Sequence, residues 1–115
     1  MKAPHNYTLI ATALSLLSTM ILQAEEPYTP GHPPEGGFDS FASQFIERHC
    51  FDCHGDGMDK GGLSLEDLGP VNETNAALWK SIWAQVAIEE MPPKKKGQPE
   101  EVERLEFTDW IIHQL

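Results

Sequence analysis

The sequence predicts an all-α protein, because three stretches carry apolar residues at helical spacing and none alternates like a half-buried strand. Glycine and proline residues lie between these stretches, where helices have to end. The 115 residues suffice for one domain once a leader is set aside.

Residues 1–24 have the pattern of a secretory signal peptide. Lys2 and His5 give a weakly basic start, residues 9–22 are mostly apolar without a charge, and Ala24 precedes two glutamates. The apolar run is short for a transmembrane helix, which needs about 20 residues. We therefore expect an exported, periplasmic protein, with membrane anchoring through a retained leader as the alternative.

Residues 25–37 contain four prolines and three glycines, which predicts an extended tether before a domain at 38–115. A chain beginning after Ala24 keeps 7 basic and 18 acidic residues, a formal charge of −11. Such an acidic surface argues against binding nucleic acid, whose phosphates it would repel. A domain this small often needs a disulfide, a metal or a large buried cofactor for stability.

The first helix is predicted from Asp39 or Ser40, both good N-caps, to about His49. Its apolar side carries Phe41 and Phe45. The four glycines within residues 55–62 then predict a tightly turning loop, followed by a short leucine patch at residues 63–68.

The second helix is predicted over residues 75–90. Leu78, Ile82 and Val86 recur every four residues, with Trp79 and Trp83 one step round the helix. The helix ends at Met91, because the following proline disfavours helical geometry there.

The last helix is predicted over residues 99–114, with Pro99 at a position that tolerates proline. One apolar stripe of this helix is predicted to contain Val102, Leu105, Ile112 and Leu115. Phe107, Trp110 and Ile111 lie beside it, and a ring contact is expected between Phe45 and Trp110.

The motif that carries chemistry is Cys50-Phe51-Asp52-Cys53-His54, the c-type haem attachment pattern. Two thiols at this spacing can each add to one vinyl group at one edge of the porphyrin. The histidine that follows is then carried beneath the ring, where its imidazole can reach iron. We expect one covalently attached haem c.

Three other interpretations of the motif compete with haem attachment. A thioredoxin-type redox disulfide needs a βαβ context, which the sequence lacks. A structural zinc site could combine the motif with His49, His32 or His113, but a second ligand pair is missing. A structural disulfide between Cys50 and Cys53 would close a very small loop and stabilise little.

The second axial ligand of the iron is predicted to be Met91. Methionine and histidine are the usual choices, and Met58 lies too close to His54 to reach the opposite face. Met91 lies 37 residues beyond His54 and precedes two prolines, which form a rigid platform. Met91 as an ordinary core residue is the alternative.

Apolar side chains are expected to exclude water from the ring edges. The candidates for these haem contacts are Phe45, Leu63, Leu65, Leu68, Trp79, Ile82, Trp83 and Leu105.

With these motifs the chain resembles a class I mono-haem cytochrome c. The segments around Lys60-Gly-Gly-Leu and Met91-Pro-Pro-Lys-Lys-Lys are similar to the planctomycete-type cytochrome c domain, and the resemblance spans residues 38–115. It implies a small helical domain wrapped around one covalent haem, with thioethers at Cys50 and Cys53. It also implies His54 as proximal ligand and Met91 as distal ligand.

The expected function is one-electron transfer between a donor and an acceptor redox protein, by a monomer and without enzymatic catalysis. Lys94, Lys95 and Lys96 form the basic cluster, and they either orient docking to an acidic partner or are a solvated turn. The alternative function is a sensor or peroxidase-like enzyme with an open sixth coordination position on the iron. Glu89 and Glu90 are then the acid–base candidates.

Overall fold

The computed structural model describes residues 27–115, so the predicted signal peptide lies outside the described residues. Four α-helices are present there and no strand, which confirms the predicted all-α class. They are α1 (Ser43–His49), α2 (Phe51–His54), α3 (Ala76–Ala87) and α4 (Glu101–Gln114). None of the helices within residues 27–115 is long and apolar enough to span a membrane.

A π-helical turn, Phe38–Ala42, leads directly into α1, and Cys50 alone separates α1 from α2. The side chain of Ser40 accepts a hydrogen bond from the backbone N–H of Gly37 at 3.0 Å, which caps the start. Gly55 is fully extended and ends α2. The haem attachment motif therefore occupies one short turn at the end of a nearly continuous helical segment.

Helix α3 begins after an asparagine-rich turn. The side chain of Asn72 accepts hydrogen bonds from the backbone N–H of Thr74 at 2.9 Å and of Asn75 at 3.3 Å. The helix ends at Ala87, earlier than predicted, because the backbone N–H groups of Glu90 and Met91 turn back to the carbonyl of Gln85. This turn carries Met91 away from the helix axis before the prolines begin.

The buried face of α4 differs from the predicted stripe. Val102, Leu105, Ile112 and Leu115 are exposed, so the prediction that they form the packed face was wrong. The buried residues are Arg104, Phe107, Thr108, Trp110 and Ile111. Large aromatic side chains exclude more apolar surface from water than the aliphatic ones do, and they determine the helix orientation.

The core lies where α1 and α3 pack on α4. Phe45 stacks on Phe107 with ring centroids 3.8 Å apart, in place of the expected Phe45–Trp110 contact. Trp110 instead meets Phe41 at 6.4 Å and Trp79 at 5.5 Å. The aromatic core thus connects the helical segment that carries the haem motif to the last helix.

The segment predicted as a tether contacts α4 within its described part. The hydroxyl of Tyr28 donates to Asp109 at 2.6 Å, and the N–H of Gly31 donates to the same oxygen at 2.9 Å. Trp110 also donates its indole N–H to the carbonyl of Gly36 at 3.1 Å. The boundaries 1–24, 25–37 and 38–115 stay predictions.

Candidate haem site

A cavity of about 440 Å³ opens between α2, α3 and the segment that follows α3. This volume falls in the range of about 300–1,000 Å³ that is usual for ligand and cofactor sites. The predicted site residues on its wall are Cys50, Cys53, His54, Leu63, Leu65, Ile82 and Met91. The other residues on its wall are Arg48, His49, Asp52, Leu78, Ser81, Gln85, Val86, Pro92, Pro93, Lys96, Gly97 and Gln98.

The imidazole of His54 is fixed by the loop that follows it. Its Nδ1 lies 3.0 Å from the carbonyl oxygen of Leu63. Because a carbonyl only accepts, Nδ1 carries the proton, and in the neutral ring Nε2 is then the nitrogen with a lone pair for a metal. The backbone N–H of Leu65 also donates to the carbonyl of His54 at 2.6 Å, so the loop holds this residue at two points.

The loop reaches back to His54 through glycines in left-handed conformations. Gly61 has φ 68° and Gly62 has φ 75°, values that side chains with a Cβ rarely adopt. The sequence signal for this turn is the Lys60-Gly-Gly-Leu segment, which places the Leu63 carbonyl beside the ring.

Both cysteines are free thiols and lie on the cavity wall. Burial, with a smaller contribution from Cys53, raises the pKa of the Cys50 thiol to about 12. The thiol of Cys50 therefore stays protonated and neutral at physiological pH. A neutral sulfur suits an apolar cavity wall.

Met91 lies on the same wall and is 37% exposed. Its backbone N–H donates to the carbonyl of Gln85 at 3.1 Å, and its carbonyl accepts from Arg104 at 3.0 Å. Met58 is exposed and is absent from the wall.

The other histidines lie in different surroundings. His49 reaches the wall, but its Nε2 is 3.0 Å from Glu103 on α4. His32 and His113 are exposed, and neither is on the wall. Within residues 27–115 no cluster of three or more His, Cys, Asp or Glu side chains is arranged to hold a metal ion.

Several predicted haem contacts lie away from the cavity wall. Phe45 and Trp79 are buried in the aromatic core, and Leu68 packs beside it. Trp83 lies in a separate surface depression with Lys80, Ile112 and Leu115, and Leu105 is exposed.

Sequence reasoning missed the polar residues of the wall. Leu78, Ser81, Ile82 and Gln85 follow the spacing i, i+3, i+4, i+7 of one helix face. The spacing is present in the sequence, but Ser81 and Gln85 are polar and are therefore not found when only apolar residues are considered. Gln98 has no periodic signal, since it lies in a proline-flanked loop.

The donor set fits a covalently attached haem. Two thiols with two residues between them, an imidazole with its Nδ1 proton held by a carbonyl, and an apolar wall converge on one cavity. These are the groups that c-type attachment and proximal ligation require.

Residues 50–95 match the family model described as Planctomycete cytochrome C. The matched segment runs from the first cysteine of the motif past Met91 to Lys95. No curated protein and no solved structure matches the chain. The resemblance predicted from the motifs is confirmed over these residues, 46 of the 115 in the chain.

Proposed function

From the planctomycete-type cytochrome c segment at residues 50–95, we propose a mono-haem cytochrome that carries single electrons between exported redox proteins. Cys50 and Cys53 attach the haem by thioether bonds. His54 and Met91 provide the axial ligands of its iron.

The observation that carries this proposal is the hydrogen bond from His54 Nδ1 to the Leu63 carbonyl at 3.0 Å. It selects the neutral tautomer whose Nε2 can bind a metal, and it restricts rotation of the ring. A backbone carbonyl in this position is the usual partner of a metal-ligating histidine, and it raises the basicity of the ligand.

Haem, when bound, supplies a one-electron couple between ferric and ferrous iron. The protein binds it through the two cysteines and orients the imidazole. Leu65, Ile82 and Val86 are buried residues on the cavity wall and exclude water from it. No proton has to move for this function, so no acid–base group is required.

Met91 is the proposed distal ligand because it lies on the cavity wall and its backbone is held at two points. Its N–H donates to the carbonyl of Gln85, and its carbonyl accepts from Arg104. A thioether opposite an imidazole favours ferrous iron and raises the reduction potential. Exclusion of water by the apolar wall acts in the same direction.

The test compares the visible spectra of the haem-loaded protein, Met91→Ala and Met58→Ala. The weak far-red band that marks an iron–methionine bond is expected in the unsubstituted protein and in Met58→Ala, and is expected to vanish in Met91→Ala. Met58→Ala is the matched control because it also removes a methionine, but one that does not lie on the cavity wall.

The opposite result would be a wild-type protein without this band that binds carbon monoxide readily. That result would support the sensor or peroxidase-like alternative. A protein that acquires no haem during cytochrome maturation would refute the proposal altogether.

A further inference from the structure

Arg104 is a buried cation on α4 that faces the Met91 segment. Its side chain donates to the carbonyls of Val86 at 2.9 Å and Met91 at 3.0 Å. It also donates to Oε1 of Gln98 at 2.8 Å. The residue is only 8% exposed, and burial of a guanidinium is costly unless its donors are all satisfied.

Gln98 extends the network along the loop. Its Nε2 lies 3.1 Å from the carbonyl oxygen of Pro92, 3.0 Å from that of Pro93 and 3.3 Å from that of Lys96. Arg104 holds the acceptor end of the same amide and so orients its donor end toward the loop. Arg104 therefore binds the Met91 carbonyl directly and also orients Gln98, which binds the carbonyls of the loop.

The loop has few means of ordering itself. Pro92, Pro93 and Pro99 have no backbone N–H, so they cannot donate hydrogen bonds. Within residues 92–98 the backbone contributes one bond, from the N–H of Lys96 to the carbonyl of Pro93 at 2.8 Å. The conformation of the loop therefore depends on side-chain donors, one within it at Gln98 and one outside it at Arg104.

Met91 is at the start of this loop, and its peptide groups are bound on both sides. Its N–H is tied to the end of α3 through Gln85, and its carbonyl is tied to α4 through Arg104. Fixing the backbone restricts where the thioether can reach on the cavity wall.

We propose that Arg104 is a positioning residue that, with Gln98, holds Met91 at the distal side of the haem site. The inference rests on the proposed function, in which Met91 is an axial ligand. The network orders the loop whether or not the thioether is bound to iron, so less conformational entropy is lost when the bond forms. The sixth position is thereby kept closed to external ligands.

The test uses the haem-loaded protein with Arg104→Lys and Gln98→Ala. Arg104→Lys keeps the positive charge but lacks the planar guanidinium that reaches three acceptors. Carbon monoxide has to displace Met91, so its apparent affinity for the ferrous protein rises as the closed fraction falls. We expect a rise of about tenfold or more in Arg104→Lys, the factor that corresponds to one lost charged hydrogen bond.

Gln98→Ala removes the neutral hydrogen bonds from Nε2 and the bond that Oε1 accepts from Arg104, but it leaves the bond from Arg104 to the Met91 carbonyl in place. The expected rise is about threefold or more. Both variants should also show a weaker far-red band and a lower reduction potential. Because Gln98 is exposed, its variant supports the test even where Arg104→Lys does not fold.

Phe107→Leu is the matched control, since it loosens the buried core without touching the network or the cavity wall. It should lower the unfolding temperature while the affinity for carbon monoxide stays within about twofold of wild type. An equal rise in Phe107→Leu would assign the effect to general loosening and overturn the inference.

Failure of the two proposals can be distinguished. A wild-type protein without the far-red band refutes Met91 ligation and the positioning role with it. A wild-type protein with the band, and variants that match it in band, potential and affinity, overturns only the role of Arg104 and Gln98.

Discussion

Gly55 follows the proposed proximal ligand, is buried and has no room for a side chain. A Cβ at this position would overlap the ring of Phe51, standing 2.6 Å from its Cδ1. The backbone is extended there, so the constraint is the close approach of the ring and not the torsion angle.

Gly55→Ala is expected to lower the free energy of unfolding by about 1–3 kcal/mol, the usual cost of overpacking. The ring of Phe51 would have to move, and the turn that carries Cys53 and His54 would move with it. Thermal unfolding of the haem-loaded protein measures the change. Gly69→Ala is the control because its Cβ would meet open space, and equal unfolding temperatures for the two variants would contradict the steric argument.

At the scale of elements, the described part of the proline-rich segment binds α4 through one carboxylate. Tyr28 and Gly31 both donate to Asp109. The hydrogen bond to Asp109 and burial raise the pKa of Tyr28 to about 12. The same hydrogen bond, with that from Gly31, lowers the pKa of Asp109.

The two shifts predict a pH window for this contact. The contribution of Asp109 is present above its unfolded pKa of 3.8 and is lost as pH falls through its lowered folded value. The contribution of Tyr28 is present below its unfolded pKa of 10.0 and is lost as pH rises toward about 12. The contact should therefore be complete between about pH 4 and 10.

The titration of Tyr28 tests this contact. In a chain that begins at residue 25 it is the only tyrosine, so the ultraviolet absorbance of phenolate reports it alone. The midpoint is expected near 12 and should return toward 10 in Asp109→Ala. Glu101→Ala, which removes another carboxylate of α4, should leave the midpoint high, and a wild-type midpoint near 10 would rule out the contact in solution.

At the scale of the whole molecule, a basic cluster interrupts a strongly acidic chain. The formal net charge is −10, yet Lys94, Lys95 and Lys96 are consecutive and exposed. Lys96 lies on the cavity wall, and its Nζ is 3.7 Å from Asp52. We propose that this charge asymmetry favours the approach of an anionic partner surface at the cavity.

Replacing the three lysines by glutamine is expected to slow electron exchange with ferricyanide, an anionic probe, by about tenfold at low ionic strength. The difference should disappear at high salt, where the Debye length is only about 3 Å. Lys80→Gln removes a cation from outside the cavity and should have little effect. An unchanged salt dependence in the triple variant would remove the docking role.

The local features of this protein follow from its amino-acid sequence alone. The haem attachment motif, the glycine loop after it and the proline that follows Met91 act through covalent spacing and backbone torsion, which neighbours along the chain control. The all-α class follows from helical periodicity in the same way. Export and the identity of the redox partners remain predictions.

Packing between the helices determines which face of each helix is buried. Val102 and Leu105 were predicted in one apolar stripe of α4, with Phe107 and Trp110 beside it. Phe107 and Trp110 occupy the core because aromatic packing across helices determines the rotation of α4. The same rotation of α4 places Arg104 where it donates to the Met91 carbonyl and to Gln98. Contacts of this kind join residues from separate elements, and no local pattern in the chain encodes them.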